Sequence, residues 1–153
     1  MADAIWSKPF TTPAGVPVPE NAGVVDAGVI LTRLDRRRRS HAAAVALFES
    51  SGRGTTRLHT SIVNLAEALQ HSRSYGEATG VDLVAVLGGF GVTIAVPDVD
   101  IARRVADLSV LGDASLADRF ALATAQALGA RLHTTDRVLA GLARRCRLPT
   151  TLY

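Results

Sequence analysis

Asp26, Glu67, Asp118 and Asp136 are the residues of this chain whose type and setting fit them for shared chemistry. Asp26 closes the short apolar run Gly23-Val24-Val25. Glu67 lies inside Ser61-Ile62-Val63-Asn64-Leu65-Ala66-Glu67-Ala68-Leu69. Asp118 opens an Ala-rich stretch, and Asp136 follows Leu132-His133-Thr134-Thr135. Carboxylates that converge on one crevice repel each other, and a hard divalent cation with oxygen ligands relieves that repulsion. The chemistry these acids offer together is therefore the binding of such a cation.

Each acid taken alone also admits a structural role. Asp26 before Ala27-Gly28 is compatible with a turn or a helix cap. Ser115-Leu116-Ala117-Asp118 has the form of a capping box, Asp136 is a candidate N-cap for the next helix, and Glu67 is compatible with a solvated helix face. Position argues against all four roles at once. Glu67 borders Val63 at the margin of its helix's apolar stripe, and Asp118 is flanked by Ala121, Leu122 and Ala125. A carboxylate among such neighbours needs a compensating positive charge. Arg119 projects about a quarter turn away on a helix, which leaves a bound cation as the better candidate.

The elements that must position these acids alternate in type. Gly23 to Ala27 is predicted as a buried first strand. Helices are predicted at His41–Glu49 after a Ser40 cap, Thr60–His71, Val81–Leu87, Val99–Leu108, Ser115–Leu128 and Arg137–Arg145. Strands are predicted at Val92–Val96, Arg131–Thr134 and Thr150–Leu152. Such alternation implies an α/β sandwich around a mostly parallel sheet, whose active crevice lies at the carboxyl ends of the strands. Asp26 and Asp136 occupy that edge. Residues 1–22 hold Pro9, Pro13, Pro17 and Pro19, which exclude a helix and predict a flexible or extended N-terminal arm. The folded domain is expected over 23–153.

Composition bounds the partners. At 153 residues and 48% hydrophobic content the chain suits one globular domain with its own core. Lys8 is the only lysine, so nearly all positive charge is carried by arginine. Guanidinium groups recognise phosphate through a planar fork of donors, which makes a nucleic-acid partner compatible with the net charge of +3. Arg36-Arg37-Arg38-Arg39 is the densest such run, readable as a phosphate path or as a solvated loop. Cys146 is the only cysteine, so no intrachain disulfide and no cysteine metal cluster can form. With no secretory signal pattern and no apolar stretch of ~20 residues, a cytoplasmic location is expected. The four histidines lack metal-ligand spacing and are read as structural or exposed. Asp113 is read as a loop residue.

Taken in order, Val24-Val25-Asp26, the helix around Glu67, the Ser115–Ala125 segment and Leu132-His133-Thr134-Thr135-Asp136 resemble the four acidic motifs of PIN-domain ribonucleases, in particular the VapC toxin type. The resemblance spans about residues 23 to 152. It implies a three-layer α/β/α fold and a Mg²⁺- or Mn²⁺-dependent endoribonuclease. Asp26 and Asp118 would be the central ligands, with Glu67 and Asp136 in support. Thr134 would orient Asp136 through its hydroxyl. The resemblance further implies a cognate antitoxin and a homodimer. The chain departs from the family in one place: Ala27-Gly28 stands where members often carry Ser or Thr soon after the first acid. Other readings stay open: a non-toxin nuclease of the same family, or a catalytically inactive PIN fold that binds RNA or protein. A phosphoacceptor signalling domain is disfavoured, because it needs a lysine beside its acids.

Overall fold

The computed structural model describes residues 21–73 and 82–153. The N-terminal arm predicted over 1–22 lies outside these residues up to position 20, as does Val81 at the start of a predicted helix. The described residues run β1 (Ala22–Val25), α1 (Ala27–Leu34), α2 (His41–Gly52), β2 (Arg57–Ser61), α3 (Ile62–Ser72), α4 (Leu83–Gly89), β3 (Thr93–Ala95), α5 (Val99–Asp107), a 3₁₀ turn at Leu108–Leu111, α6 (Leu116–Leu128), β4 (Arg131–Thr134), α7 (Arg137–Arg145) and β5 (Thr150–Leu152). The five strands form one parallel sheet in the order β3-β2-β1-β4-β5. β1 is central, with Gly23 opposite Leu58 on one side and Arg131 on the other.

Alternation along β1 sends successive side chains to opposite faces. Val24 packs with Leu132, Ala121, Leu122, Leu139 and Leu142 in one core, and Val25 packs with Ile30, Phe48, Leu58, Leu65 and Leu87 in the other. A strand buried on both faces must be apolar throughout, which is why Ala22-Gly23-Val24-Val25 reads as a continuous run. Two helical layers thus enclose the sheet, in the predicted three-layer α/β/α arrangement. Gly23 has a steric reason. A Cβ there would lie 2.8 Å from His133 Nε2 and 3.0 Å from Leu58 Cδ2, side chains that lean over it from both neighbouring strands.

One open reading is resolved and two local expectations need correction. Of the turn and the helix cap that Asp26 allowed, it is the cap: it has extended backbone and its carboxylate accepts the Val29 N–H at 2.8 Å, starting the helix Ala27–Leu34 with its buried Val29, Ile30 and Leu31. Arg57–Ser61 is a strand, so the helix predicted from Thr60 starts at Ile62. Leu58 and Thr60 are the fully buried residues of this strand, and Ser61 caps α3 by accepting the Asn64 N–H. Ser40 does not cap α2 with its side chain. Its backbone, at φ −94° and ψ 13°, lacks the extended conformation that aims an N-cap hydroxyl at the first turn.

Candidate functional site

The strand order fixes where a site can form. The chain adds β2 and β3 on one side of β1, then returns to add β4 and β5 on the other. Right-handed crossovers place the intervening helices on opposite faces, so a crevice opens beyond the carboxyl ends of β1 and β4, where the order reverses. Asp26 ends β1 at that point, and its N–H donates to the His133 carbonyl of β4 at 3.2 Å.

Asp26 is 6% exposed. One carboxylate oxygen, Oδ1, accepts the Val29 N–H, and the other, Oδ2, accepts the Thr134 hydroxyl in a short hydrogen bond. Burial pushes its pKa up to about 6 against the opposing effect of those two bonds, and the Asp118 and Glu67 carboxylates push it further in the same direction. The acids at the end of β1, on α3 and on α6 are therefore near enough for the charges of Asp118 and Glu67 to act on Asp26.

Asp118 is held by the first turn of α6. Its Oδ2 accepts the Ser115 N–H at 2.9 Å, while the Ser115 hydroxyl accepts the Asp118 N–H at 3.1 Å, forming the capping box. The capping-box reading of this segment is thus met, and the cap fixes the orientation of the acid. Arg119 turns away and donates twice to the Ala114 carbonyl, at 3.2 and 3.0 Å. Glu67 is half-buried on α3, one turn beyond Asn64. Asn64 was not singled out by the sequence, yet it ties the two acid-bearing helices. Its side-chain amide donates to the Ala117 carbonyl at 3.3 Å, and its Oδ1 accepts the Ser61 hydroxyl at 2.5 Å. The signal for it was a buried amide amid the apolar stripe of a helix, three residues before the acid.

Asp136 is exposed and caps α7, with Oδ1 accepting the Val138 and Leu139 N–H groups at 2.6 and 3.1 Å. It is not among the charges that act on Asp26. The expected role of Thr134 also changes. Its hydroxyl does not reach the Asp136 carboxylate; it donates to Asp26 and accepts the Asp136 backbone N–H at 2.9 Å. A fully buried hydroxyl has one proton to give, and the ionisable carboxylate in front of it is the stronger acceptor. Thr134 therefore fixes Asp26 and links it to the start of α7.

Among the described residues none of the four acids forms an ion pair; the salt bridges engage Asp35, Glu49 and Asp100 instead. No three acidic, histidine or cysteine side chains of those residues converge into a ready-made cage. A hard cation nevertheless fits this donor set. Mg²⁺ is commonly held by one or two carboxylates and keeps several waters, with phosphate oxygens completing its shell. Asp26 and its two repelling neighbours offer negative charge with no ion-pair partner among the described residues.

The arginine run occupies the loop between α1 and α2, at the far end of α1 from Asp26. Arg37 pairs with Asp35 at 3.0 Å, and Arg38 lies 3.9 Å from the same carboxylate. Arg36 and Arg39 are exposed. His133 is structural: buried in β4, it sits 3.0 Å from the Tyr153 hydroxyl, and burial lowers its pKa to about 4.

A family model described as PIN domain matches residues 23–145. A search of curated proteins gives no significant match. Among solved structures, the chain is similar to the sarcin–ricin-loop-cleaving toxin VapC20 of Mycobacterium tuberculosis, at 17% identity and a TM-score of 0.64, over 78% of this chain and 93% of that one. It is similar to FitAcB from Neisseria gonorrhoeae at 18% identity and a TM-score of 0.60, over 84% and 95% of the two chains. VapBC2 from Rickettsia felis, bound to a DNA fragment from its promoter, matches at 16% identity and a TM-score of 0.60, over 86% and 98%. At these identities the likeness is one of fold. Among the described residues no helix is long and apolar enough to cross a membrane.

Proposed function

Since this chain belongs to the PIN-domain family, we propose that it is a divalent-metal-dependent endoribonuclease, the toxin of a toxin–antitoxin pair. One observation carries the reading: a buried carboxylate at the sheet's reversal point bears the repulsion of two others, with no cation paired to any of them among the described residues. The toxin role is supported by fold likeness to VapC20 and VapBC2. A cognate antitoxin and a second copy of this chain are the partners it entails, and the cytoplasm is where its RNA substrate would be met.

Asp26 and Asp118 would hold Mg²⁺ or Mn²⁺, with Glu67 and Asp136 in support, directly or through water. The ion, when bound, supplies a water of lowered pKa and offsets charge on the scissile phosphate. The protein's own residues do the positioning. Thr134 locks Asp26, the Ser115 cap locks Asp118, and Asn64 keeps the start of α6 beside α3. The expected reaction is hydrolysis: water oxygen bonds to phosphorus, the bond to the 3′ oxygen breaks, and 5′-phosphate and 3′-hydroxyl ends result. The test is cleavage of single-stranded or looped RNA by purified protein with Mg²⁺, Mn²⁺ or excess EDTA. Full activity in EDTA, or 2′,3′-cyclic phosphate ends, rules the mechanism out.

Affinity for RNA should owe part of its salt dependence to the loop after α1. Each phosphate contact on a single strand contributes about 0.7 to the slope of log affinity against log salt. Arg37 and Arg38 are already engaged with Asp35, so Arg36 and Arg39 are the main contributors. Neutralising all four residues is expected to lower the slope by about 1.4. An unchanged slope in filter binding assigns the run to a solvated loop.

A further inference from the structure

Gly28 sits two residues beyond Asp26, in the first turn of α1. The space that a side chain would fill at this position is taken. A Cβ built on Gly28 would stand 2.2 Å from Thr135 Oγ1 and 3.5 Å from Thr135 Cβ, and 3.3 Å from Asp26 Oδ1. Thr135 thus reaches across from the end of β4 and puts its hydroxyl where a residue-28 side chain would meet the Asp26 carboxylate. Thr135 is half-buried, and its hydroxyl has no hydrogen-bond partner among the described residues. Thr134, its neighbour, is committed to the other oxygen of Asp26.

We infer that Thr135 is a positioning residue of the site, its hydroxyl occupying the space beside Asp26 that a side chain at position 28 would take. Position 28 must then be glycine because Thr135 needs the room, and the two residues act as one unit. Both Asp26 oxygens already accept a hydrogen bond, Oδ2 from Thr134 and Oδ1 from the Val29 N–H, so the Thr135 hydroxyl acts on the water layer of the carboxylate that a bound cation joins. Partners of this outer kind commonly change metal affinity by about tenfold or more when removed. The inference deepens the metal-nuclease reading and rests on it.

The test is a set of variants read first by Mn²⁺ affinity without RNA, from titrations followed by the paramagnetic signal of free Mn²⁺, and by melting in EDTA. Thr135→Val keeps the shape and removes the hydroxyl. It is expected to weaken Mn²⁺ binding about tenfold and to leave the melting point in EDTA nearly unchanged. Thr135→Ser should restore affinity to within about twofold of wild type. Gly28→Ser alone should melt lower, since its side chain collides with Thr135, whereas Gly28→Ser combined with Thr135→Ala should recover both stability and Mn²⁺ affinity. Wild-type Mn²⁺ affinity in Thr135→Val, or a double variant as weak as Thr135→Ala alone, overturns the inference. Asp26→Asn separates the two levels of the argument. If it too binds Mn²⁺ like wild type, the metal site itself is wrong; if it loses Mn²⁺ while Thr135→Val does not, only the role of Thr135 falls.

Discussion

Asp118→Asn is expected to lose more than about a hundredfold in RNA cleavage, beyond the range usual for loss of an outer-shell partner, while its metal-free form melts close to or above wild type. The two halves of this result come from the two duties of one side chain. As a cap, Asp118 needs an oxygen that accepts the Ser115 N–H, and asparagine keeps one. As a charge, it raises the pKa of Asp26 by repulsion, and the amide abolishes that repulsion. The loss of an anion at a helix N-terminus costs about 0.3–1 kcal/mol at an exposed position, which relief of the repulsion offsets. Wild type should gain about 2.7 kcal/mol from Mg²⁺ or Mn²⁺ at a hundredfold excess over the dissociation constant. The variant should lose most of that gain. Melting curves of both proteins in EDTA and in metal decide the matter: a variant much less stable in EDTA, or one as responsive to metal as wild type, makes Asp118 a structural cap only.

Asp26 should remove stability from the metal-free protein as pH rises from about 4 to 7. Its pKa is 3.8 in the unfolded chain and about 6 in the fold, with burial as the main cause. The folded state therefore binds the proton more tightly. Stability from this residue is fully present below pH 3.8 and is lost as pH rises through 6. At about 1.4 kcal/mol per pH unit of separation, the loss is of the order of 3 kcal/mol. Other groups slope the opposite way. His133, whose pKa burial lowers from 6.5 to about 4, gives the fold stability as pH rises through that range. Asp35, whose carboxyl is held low by hydrogen bonds from Arg37, adds to it. The informative quantity is thus the difference between wild type and Asp26→Asn, measured by urea unfolding in EDTA across this range. Parallel curves would refute the assignment. Mg²⁺ should reverse the Asp26 contribution, read as the same difference, since the cation and the proton compete for one carboxylate and binding releases the proton.

The acids and their order were legible because Asp26 closes an apolar strand run and the other three lie in, or just before, strongly periodic helices. The sequence also made the long helices legible, since α6 is capped at Ser115 and stopped by Gly129 in the left-handed conformation. Two elements escaped it. Ala27-Gly28 is a weak helix start, and eight residues leave little periodicity for α1; only the Asp26 cap and burial between neighbouring elements settle it. β2 has one large apolar residue, Leu58, and its inner position buries Thr60, an uncharged β-branched residue that fits either a strand or the helix start. The site shows the same division. A Thr-x-Asp pattern marks the fourth acid, but whether Thr134 serves Asp136 or Asp26 depends on which strands are neighbours. The role of Thr135 depends on an atom missing from Gly28, and the spacing of letters cannot express that.

The bond between Thr134 and Asp26 joins residues 108 positions apart, and this sets when the site can exist during synthesis. At translation rates of about 5–20 residues per second, roughly 5–20 s separate the emergence of the two partners. Until then a nascent chain can pair β1 with β2 and β2 with β3, but the other edge of β1 is bare and the Asp26 carboxylate lacks the Thr134 hydroxyl. Non-local parallel pairing is also intrinsically slow. Under the proposed function, a site completed this late would stay inactive for most of its own translation, and a binding partner would have those seconds in which to arrive first.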